Sequence, residues 1–190
     1  MQGPLYESTS TLTPGTFRLL TDTCLTFLSF AQKLMRIAIC KGHSSYITHI
    51  DFTADSRYLQ SNCGAYELLF WDVQTGKQEK SASKMRDKQW ATWTCTLGWP
   101  VQGIWPAEAD GTDVNAVDRS SDQSTLVTAD DFGQVKLFRY PCVSKVARAK
   151  TYPGHASHVA NIRFTAGSSH VITAGGNDRC IFQYSHTPKS

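Results

Sequence analysis

Three stretches of this 190-residue chain repeat one another, and that repetition limits the fold more than any single motif does. The first opens at Gly42-His43, runs through Ile47 and Ile50, and closes at Trp71-Asp72. The third opens at Gly154-His155, runs through Val159 and Ile162, and closes at Tyr184-Ser185. Between them, Val114 and Val117 lead to Phe138-Arg139. The step from first apolar residue to closing aromatic is 24 positions from Ile47 to Trp71, 24 from Val114 to Phe138 and 25 from Val159 to Tyr184. A second apolar pair (Tyr58-Leu59, Leu126-Val127, Val171-Ile172) begins 12 or 13 positions before each aromatic.

Within each copy, apolar and polar residues alternate over short runs bounded by Gly, Asp, Asn and Ser, the pattern of strands and tight turns. Asp131 to Phe138 shows it best, and Gly176-Asn177-Asp178 reads as a hairpin turn in which Gly and Asn accept positive φ. No stretch sustains a helical period. Lys and Arg number 19 against 16 Asp and Glu, a net charge of +3, too mild for a dedicated nucleic-acid binder. The six cysteines stand singly, with no CxxC pair, and read as small buried hydrophobes in a reducing compartment rather than disulfide or zinc ligands. The longest membrane-like run, Cys24 to Ala31, is far below the ~20 residues that span a bilayer, and no signal-peptide pattern precedes it. The expected location is the cytoplasm.

A Gly-His pair followed about 28 residues later by Trp-Asp resembles the WD repeat of β-propellers. That resemblance implies a hydrogen-bonded set inside each blade. Its members here are His43, Ser61, Trp71 and Asp72 in the first unit, Thr128 and Phe138 in the second, and His155, Asp178 and Tyr184 in the third. The first unit carries Ala65 where the set needs an acid, so its network is expected to be incomplete and its blade looser.

The segment between Trp71 and Phe138 is 21 residues longer than the matching segment from Phe138 to Tyr184. It contains Trp90-Ala91-Thr92-Trp93-Thr94-Cys95-Thr96-Leu97-Gly98, Gly103-Ile104-Trp105-Pro106 and Asp110-Gly111-Thr112-Asp113-Val114-Asn115-Ala116. These strings resemble the atypical blade of the echinoderm microtubule-associated protein-like (EMAP-like) family, and the resemblance runs from about Gln32 to Tyr184. It implies an all-β, partial and open WD-repeat β-propeller of about three four-stranded blades, one of them bearing an insertion. The boundaries expected are a divergent non-repeat segment over 1–31, a closing strand near Leu34 to Cys40 plus the first blade over 32–88, the Trp-rich insertion and second blade over 89–150, and the third blade over 151–190. Three blades cannot close a ring of 4–8, so exposed strand edges are expected.

The family resemblance implies a non-enzymatic protein that binds microtubules or tubulin and sits on the cytoskeleton, although no helical oligomerisation segment of the kind many members use is read here. Residues 77–88 carry Lys77, Lys80, Lys84, Arg86 and Lys88 against Glu79 and Asp87, and Lys145, Arg148 and Lys150 follow later. Tubulin's surface is acidic, so these cations are candidate contacts; a solvated loop is the plain alternative. The acidic run from Glu108 to Asp131 reads as turn and structural aspartate, with a contact role as the alternative. Trp90, Trp93, Trp99 and Trp105 read as packing within the inserted strands, with an interface anchor as the alternative. Other chemistries find no frame. Thr75-Gly76-Lys77-Gln78 lacks the rest of a phosphate loop, Gly167-Ser168-Ser169 lacks a nucleophile elbow, and His155 with His158 lacks a third ligand. No cofactor, metal, nucleic acid or membrane is called for. The second functional reading is a general protein-interaction scaffold, or a fragment that completes a propeller without touching tubulin.

Overall fold

The computed structural model describes residues 16–21, 24–29, 35–105, 108–111, 113–145 and 147–187, with side chains described from residue 38 onward. The chain divides into two compact units, Met1–Cys95 and Thr96–Ser190. Among the described residues no helix is long and apolar enough to cross a membrane.

The first unit holds two antiparallel sheets. Strands β1 (Thr16–Thr21), β2 (Cys24–Ser29) and β3 (Met35–Lys41) pair in that order. Strands β4 (Ile47–Phe52), β5 (Tyr58–Cys63), β6 (Leu68–Asp72) and the two-residue β7 (Gln78–Glu79) form a four-stranded blade. Ala38 and Cys40 of β3 pack into a core with Ile47, Ile50, Phe52, Leu59 and Trp71. A one-turn helix, α1 (Ala82–Met85), comes after β7 and turns Met85 inward.

The second unit holds two more blades. Strands β8 (Val114–Arg119), β9 (Thr125–Asp130), β10 (Gln134–Arg139) and β11 (Lys150–Pro153) make a four-stranded sheet in sequence order. Strands β12 (Val159–Phe164), β13 (His170–Gly175) and β14 (Ile181–Ser185) make a three-stranded one. Ala116, Val127, Ala129, Val135, Val159, Ile162 and Val171 form the core between these two blades. A 3-10 turn over Trp99–Ile104 is clipped to the segment after β10, because Cys142 N donates to Pro100 O at 2.7 Å and Gly103 N to Cys142 O at 2.7 Å.

The repeat is visible in the register. Ile47, Val114 and Val159 each begin an edge strand, and each strand has the same irregularity, between Ile47 and His49, Val114 and Ala116, Val159 and Asn161. The closing aromatics Trp71, Phe138 and Tyr184 lie opposite Leu59, Leu126 and Val171. Equal spacing in sequence has become equal position in each sheet.

Several expectations need correction. The stretch 1–31, expected as a divergent non-repeat segment, contains two strands of a sheet: β1 and β2, rich in Thr, Leu and Phe that suit a pleated surface, pair with each other, and β2 pairs with β3. The single closing strand is therefore the third of a sheet, while residues 1–15, 22, 23, 30 and 31 lie outside the described ones. Among the described residues the third blade has three strands, and β14 pairs there with β13. The turn after β13 places its positive φ on Arg179 rather than on Gly176 or Asn177, as the turn after β5 places it on Tyr66. Cys40, Cys63, Cys95 and Cys142 are buried, but Cys180 is exposed; the side chain of Cys24 is outside the described ones.

Gly133 has φ +74°, and a Cβ there would stand 2.5 Å from His155 O. Gly167 has nearly the same φ, +75°, with open space around it. Gly167→Ala is expected to cost about 1–2 kcal/mol for the left-handed backbone alone, and Gly133→Ala roughly twice that, since the His155–Ser157 backbone before β12 must give way as well. Urea denaturation midpoints of the two variants check this; equal losses would rule out the close approach as the reason for Gly133.

Candidate functional site

Two features stand out above the fold: a polar hub inside each His-bearing blade and a basic surface on the first blade. The first hub is built on β5 and β6, the segment before β4 and the β5–β6 loop. His43 comes just after β3 and its side chain is buried. Its Nε2 lies 2.6 Å from Ser61 Oγ, and Trp71 Nε1 donates to the same hydroxyl at 2.8 Å. A hydroxyl has one proton and two lone pairs, so Ser61 can donate to the imidazole while accepting from the indole.

Glu67 completes this hub. Its Oε2 accepts from Ser44 N at 2.9 Å and Cys63 Sγ at 3.0 Å and lies 3.2 Å from His43 Nδ1, while Oε1 accepts from Ser44 Oγ at 2.9 Å. The expectation of an incomplete first network, drawn from Ala65, is therefore corrected: a longer acid two residues on reaches the same imidazole. The Ser44 backbone N–H, then the Cys63 thiol and the Ser44 hydroxyl, hold Glu67 well below the usual carboxylate range, at about 2. Burial pushes His43 down, against the pull of Glu67, so its ring is neutral at neutral pH.

The third blade solves the same problem with different residues. His155 Nδ1 lies 2.7 Å from Asp178 Oδ2 and Nε2 lies 2.8 Å from Thr173 Oγ1. Ala156 N and Cys180 N also donate to Asp178, and these donors, Cys180 N–H first, hold its carboxyl below the ordinary value. Burial raises the Tyr184 phenol, which also bonds Thr173. In the middle blade Thr128 occupies the corresponding place on β9 and Phe138 is buried, but Phe138 offers no donor. There Asp130 binds Phe132 N and Gln134 N through Oδ1 at 3.0 and 2.8 Å and pairs with Lys136 at 2.8 Å. Asp72 stands apart from the first hub: its Oδ1 accepts from Thr75 N and Thr75 Oγ1, both at 2.9 Å, and so shapes the β6–β7 turn.

One anchor carries no motif in the sequence. Asp51, buried on β4, accepts from Thr92 Oγ1 at 2.7 Å, Thr94 N at 2.8 Å, Cys95 N at 3.0 Å and Gln60 Nε2 at 3.1 Å. It fastens the Trp90–Cys95 segment to the first blade, where Trp90 bridges Thr53 and Ala91 N donates to Phe52 O. Trp90 and Trp93 are buried, in edge-on contact at 6.0 Å between centroids, whereas Trp99 is 57% exposed. The packing reading thus fits the first two tryptophans and fails for Trp99.

Of the basic residues in the first unit, Lys77, Lys80, Lys84 and Arg86 are exposed and Lys88 is half-buried. Lys84 Nζ lies 3.2 Å from Glu79, and Lys88 Nζ stands 5.1 Å from the Tyr58 ring centroid. Arg57, which belongs to no basic run in the sequence, stacks on the same ring at 5.3 Å and adds an exposed cation beside Lys88. Only the β4–β5 turn brings it there, 20 residues before Lys77. Lys145 and Lys150 are exposed in the second unit and Arg148 is exposed beside them. That unit also has an apolar groove of about 330 Å³ between its blades, lined by Val127, Leu137, Tyr152, Val171, Tyr184 and His186 among others.

The family model described as the echinoderm microtubule-associated protein second beta-propeller matches residues 19–186, beginning earlier than the Gln32 from which the sequence motifs carry the likeness. Echinoderm microtubule-associated protein-like 2 of Rattus norvegicus is 52% identical over 153 residues, covering 80% of this chain and 24% of that protein. Echinoderm microtubule-associated protein-like 3 of Homo sapiens is 48% identical over 157 residues, covering 82% and 18%. The 77 kDa echinoderm microtubule-associated protein of Lytechinus variegatus is 49% identical over 154 residues, covering 81% and 23%. The chain thus spans a quarter or less of the length of these curated relatives. Among solved structures, the computationally designed Ika8 protein matches with a TM-score of 0.63 at 15% identity, over 92% of this chain and 57% of that one, which shows the fold alone.

The first hub gives a pH prediction. Glu67 falls from 4.5 unfolded to about 2 folded. Its contribution to stability is therefore complete above the unfolded value and is lost as pH falls through the folded one. Glu67→Gln removes that contribution, so its melting temperature should drop less than the parent's between about pH 5 and about pH 2. Parallel thermal melts across that range are the check, and an identical acid response would separate Glu67 from the hub.

Proposed function

The chain belongs to the echinoderm microtubule-associated protein-like family, and from that membership we propose that it acts as a non-enzymatic, cytoplasmic propeller scaffold that binds tubulin or microtubules. The observation that carries the reading is the exposed basic surface of the first blade, on a chain whose relatives are named for microtubule association. Lys77 and Lys80 flank β7, Lys84 lies on α1, and Arg86 and Lys88 follow it, with Arg57 beside Lys88; the second unit has its own exposed cations in Lys145, Arg148 and Lys150. Oppositely charged surfaces steer encounter and fix orientation, so an acidic tubulin surface is the partner this charge suits.

A second reading has its own support. The three described strands of the last blade leave β14 paired on one side, and an edge of this kind takes up a strand from another polypeptide through main-chain hydrogen bonds. A general interaction scaffold, or a fragment completing another propeller, would work this way.

Salt separates the two. Charges beyond about 10 Å are screened at 0.1 M ionic strength, whereas strand pairing is far less sensitive. Co-pelleting with microtubules should therefore weaken steeply across a salt series. Lys77→Glu, Lys80→Glu and Arg86→Glu together should weaken it about tenfold at low salt, equivalent to about 1.4 kcal/mol. Pelleting that ignores both salt and the triple variant would remove the basic surface from the account and favour the open edge.

A further inference from the structure

The last residues of β5, β9 and β13 are Cys63, Asp130 and Gly175, three different side chains at one place in the blade. In the third blade the glycine is required, because a Cβ would collide with Asp178 Oδ1 and come within 2.5 Å of His155 Nδ1. In the first blade the acid arrives from Glu67 instead, and the space admits a thiol. The His–carboxylate contact of the third blade forms without any sulfur, so the Cys63 thiol is surplus to the architecture. It nevertheless points at the shared carboxylate, with Sγ 3.0 Å from Glu67 Oε2, which lies 3.2 Å from His43 Nδ1. All three donor atoms fall within 4.8 Å of one another.

We propose that His43 Nδ1, Cys63 Sγ and Glu67 Oε2 form a zinc site, with water as the fourth ligand. At zinc's bond lengths of about 2.0–2.3 Å and tetrahedral angles, donors stand roughly 3.3–3.6 Å apart, so the Sγ–Oε2 and Oε2–Nδ1 separations open by a few tenths of an ångström while Sγ and Nδ1, within 4.8 Å of each other, settle to the same span. Imidazole, thiolate and carboxylate are the donor types zinc takes, and one thiolate with one carboxylate balances its charge. Glu67, with its side chain 34% exposed, gives the ion and its water a path to solvent. Ser61 supplies the support that orients a ligand histidine. On binding, the Cys63 thiol loses its proton to solvent. The neutral His43 ring shifts its proton from Nδ1 to Nε2, which donates to Ser61 Oγ; the second lone pair of that oxygen still accepts from Trp71. One proton leaves per ion. Spacing alone does not announce the site, since the donors are 20 and 4 positions apart and match no zinc pattern; the β5–β6 hairpin joins Cys63 and Glu67, and the segment before β4 brings His43 to them.

The test is titration of the full chain with Co²⁺ as the optical stand-in for zinc. The expected result is one equivalent bound, with a thiolate-to-cobalt charge-transfer band in the near ultraviolet, bleached by Zn²⁺. Cys63→Gly copies the third blade's residue and should fold with an unchanged far-ultraviolet spectrum while losing the band, and Cys180→Ser should keep it. No band in the parent chain overturns the proposal. So does a band that survives Cys63→Gly, which would place the metal on another thiol. Should Cys63→Gly not fold, the parent decides: a rise in melting temperature with one equivalent of Zn²⁺ supports the site, and no rise overturns it.

Discussion

A buried imidazole with two nitrogens to satisfy is the constraint on which the blades depend. Burying it without partners would cost about 1–3 kcal/mol for each orphaned polar atom, so the chain must bring a hydroxyl to one nitrogen and an acid to the other. The hydroxyl comes from the middle of the second strand, Ser61 or Thr173, 18 residues on in both cases. The acid comes from the loop to the third strand. Satisfying one side chain thereby fixes the loop before the first strand, the register of the second and the turn into the third. The middle blade has no such histidine, and its Asp130 orders its own turn through Phe132 N and Gln134 N instead.

A second device joins segments along the chain. Asp51 and Asp118 occupy the same position in β4 and β8, four residues after Ile47 and Val114. Each turns its carboxylate to backbone N–H groups of a later segment: Thr94 and Cys95 for Asp51, Phe164 for Asp118. Hydrogen bonds to an ionised acceptor are stronger than neutral ones, so a blade's first strand carries the latch for a segment further along the chain. In the third blade Arg163 stands at this place and bonds Ile162 O instead. The string from Trp90 to Cys95 owes its form to this latch, with Thr92 and Thr94 supplying hydroxyls as well as backbone.

Positions that repeat at fixed spacing were legible in the sequence, because a β-sheet converts equal spacing into equal register. Ile47, Val114 and Val159 fell on equivalent edge positions for that reason, as did Trp71, Phe138 and Tyr184. What the spacing hid was substitution by reach. Glu67 does from two residues further along what a shorter acid would do at 65, so position counting met only Ala65 and left the network looking broken. Asp51 was invisible because its partners from the Trp90–Cys95 segment lie 41 to 44 residues away and half of them are backbone N–H groups, which no side-chain pattern announces. The β1–β2 hairpin was missed since it precedes the repeat motifs and carries none of them, and Arg57 because it joins the basic surface only through the ring of Tyr58.

Hydrogen bonding also gives some of the charges a structural role. By formula the stretch from Glu108 to Asp131 is strongly acidic. Within it, Asp118 accepts from Phe164 N, Asp122 from the hydroxyls of Ser120 and Ser124, Asp130 from two backbone amides and Lys136, and Asp131 from Asn115. These carboxylates are committed to turns and latches. The Ser120 and Ser124 donors hold Asp122 at about 2, so it stays ionised in that structural role. Lys77, Lys80 and Arg86 are exposed. The net charge of +3 is thus a balance of unevenly placed charges: cations gathered over 77–88, and acids over 108–131 of which Asp118, Asp122, Asp130 and Asp131 also order turns and latches.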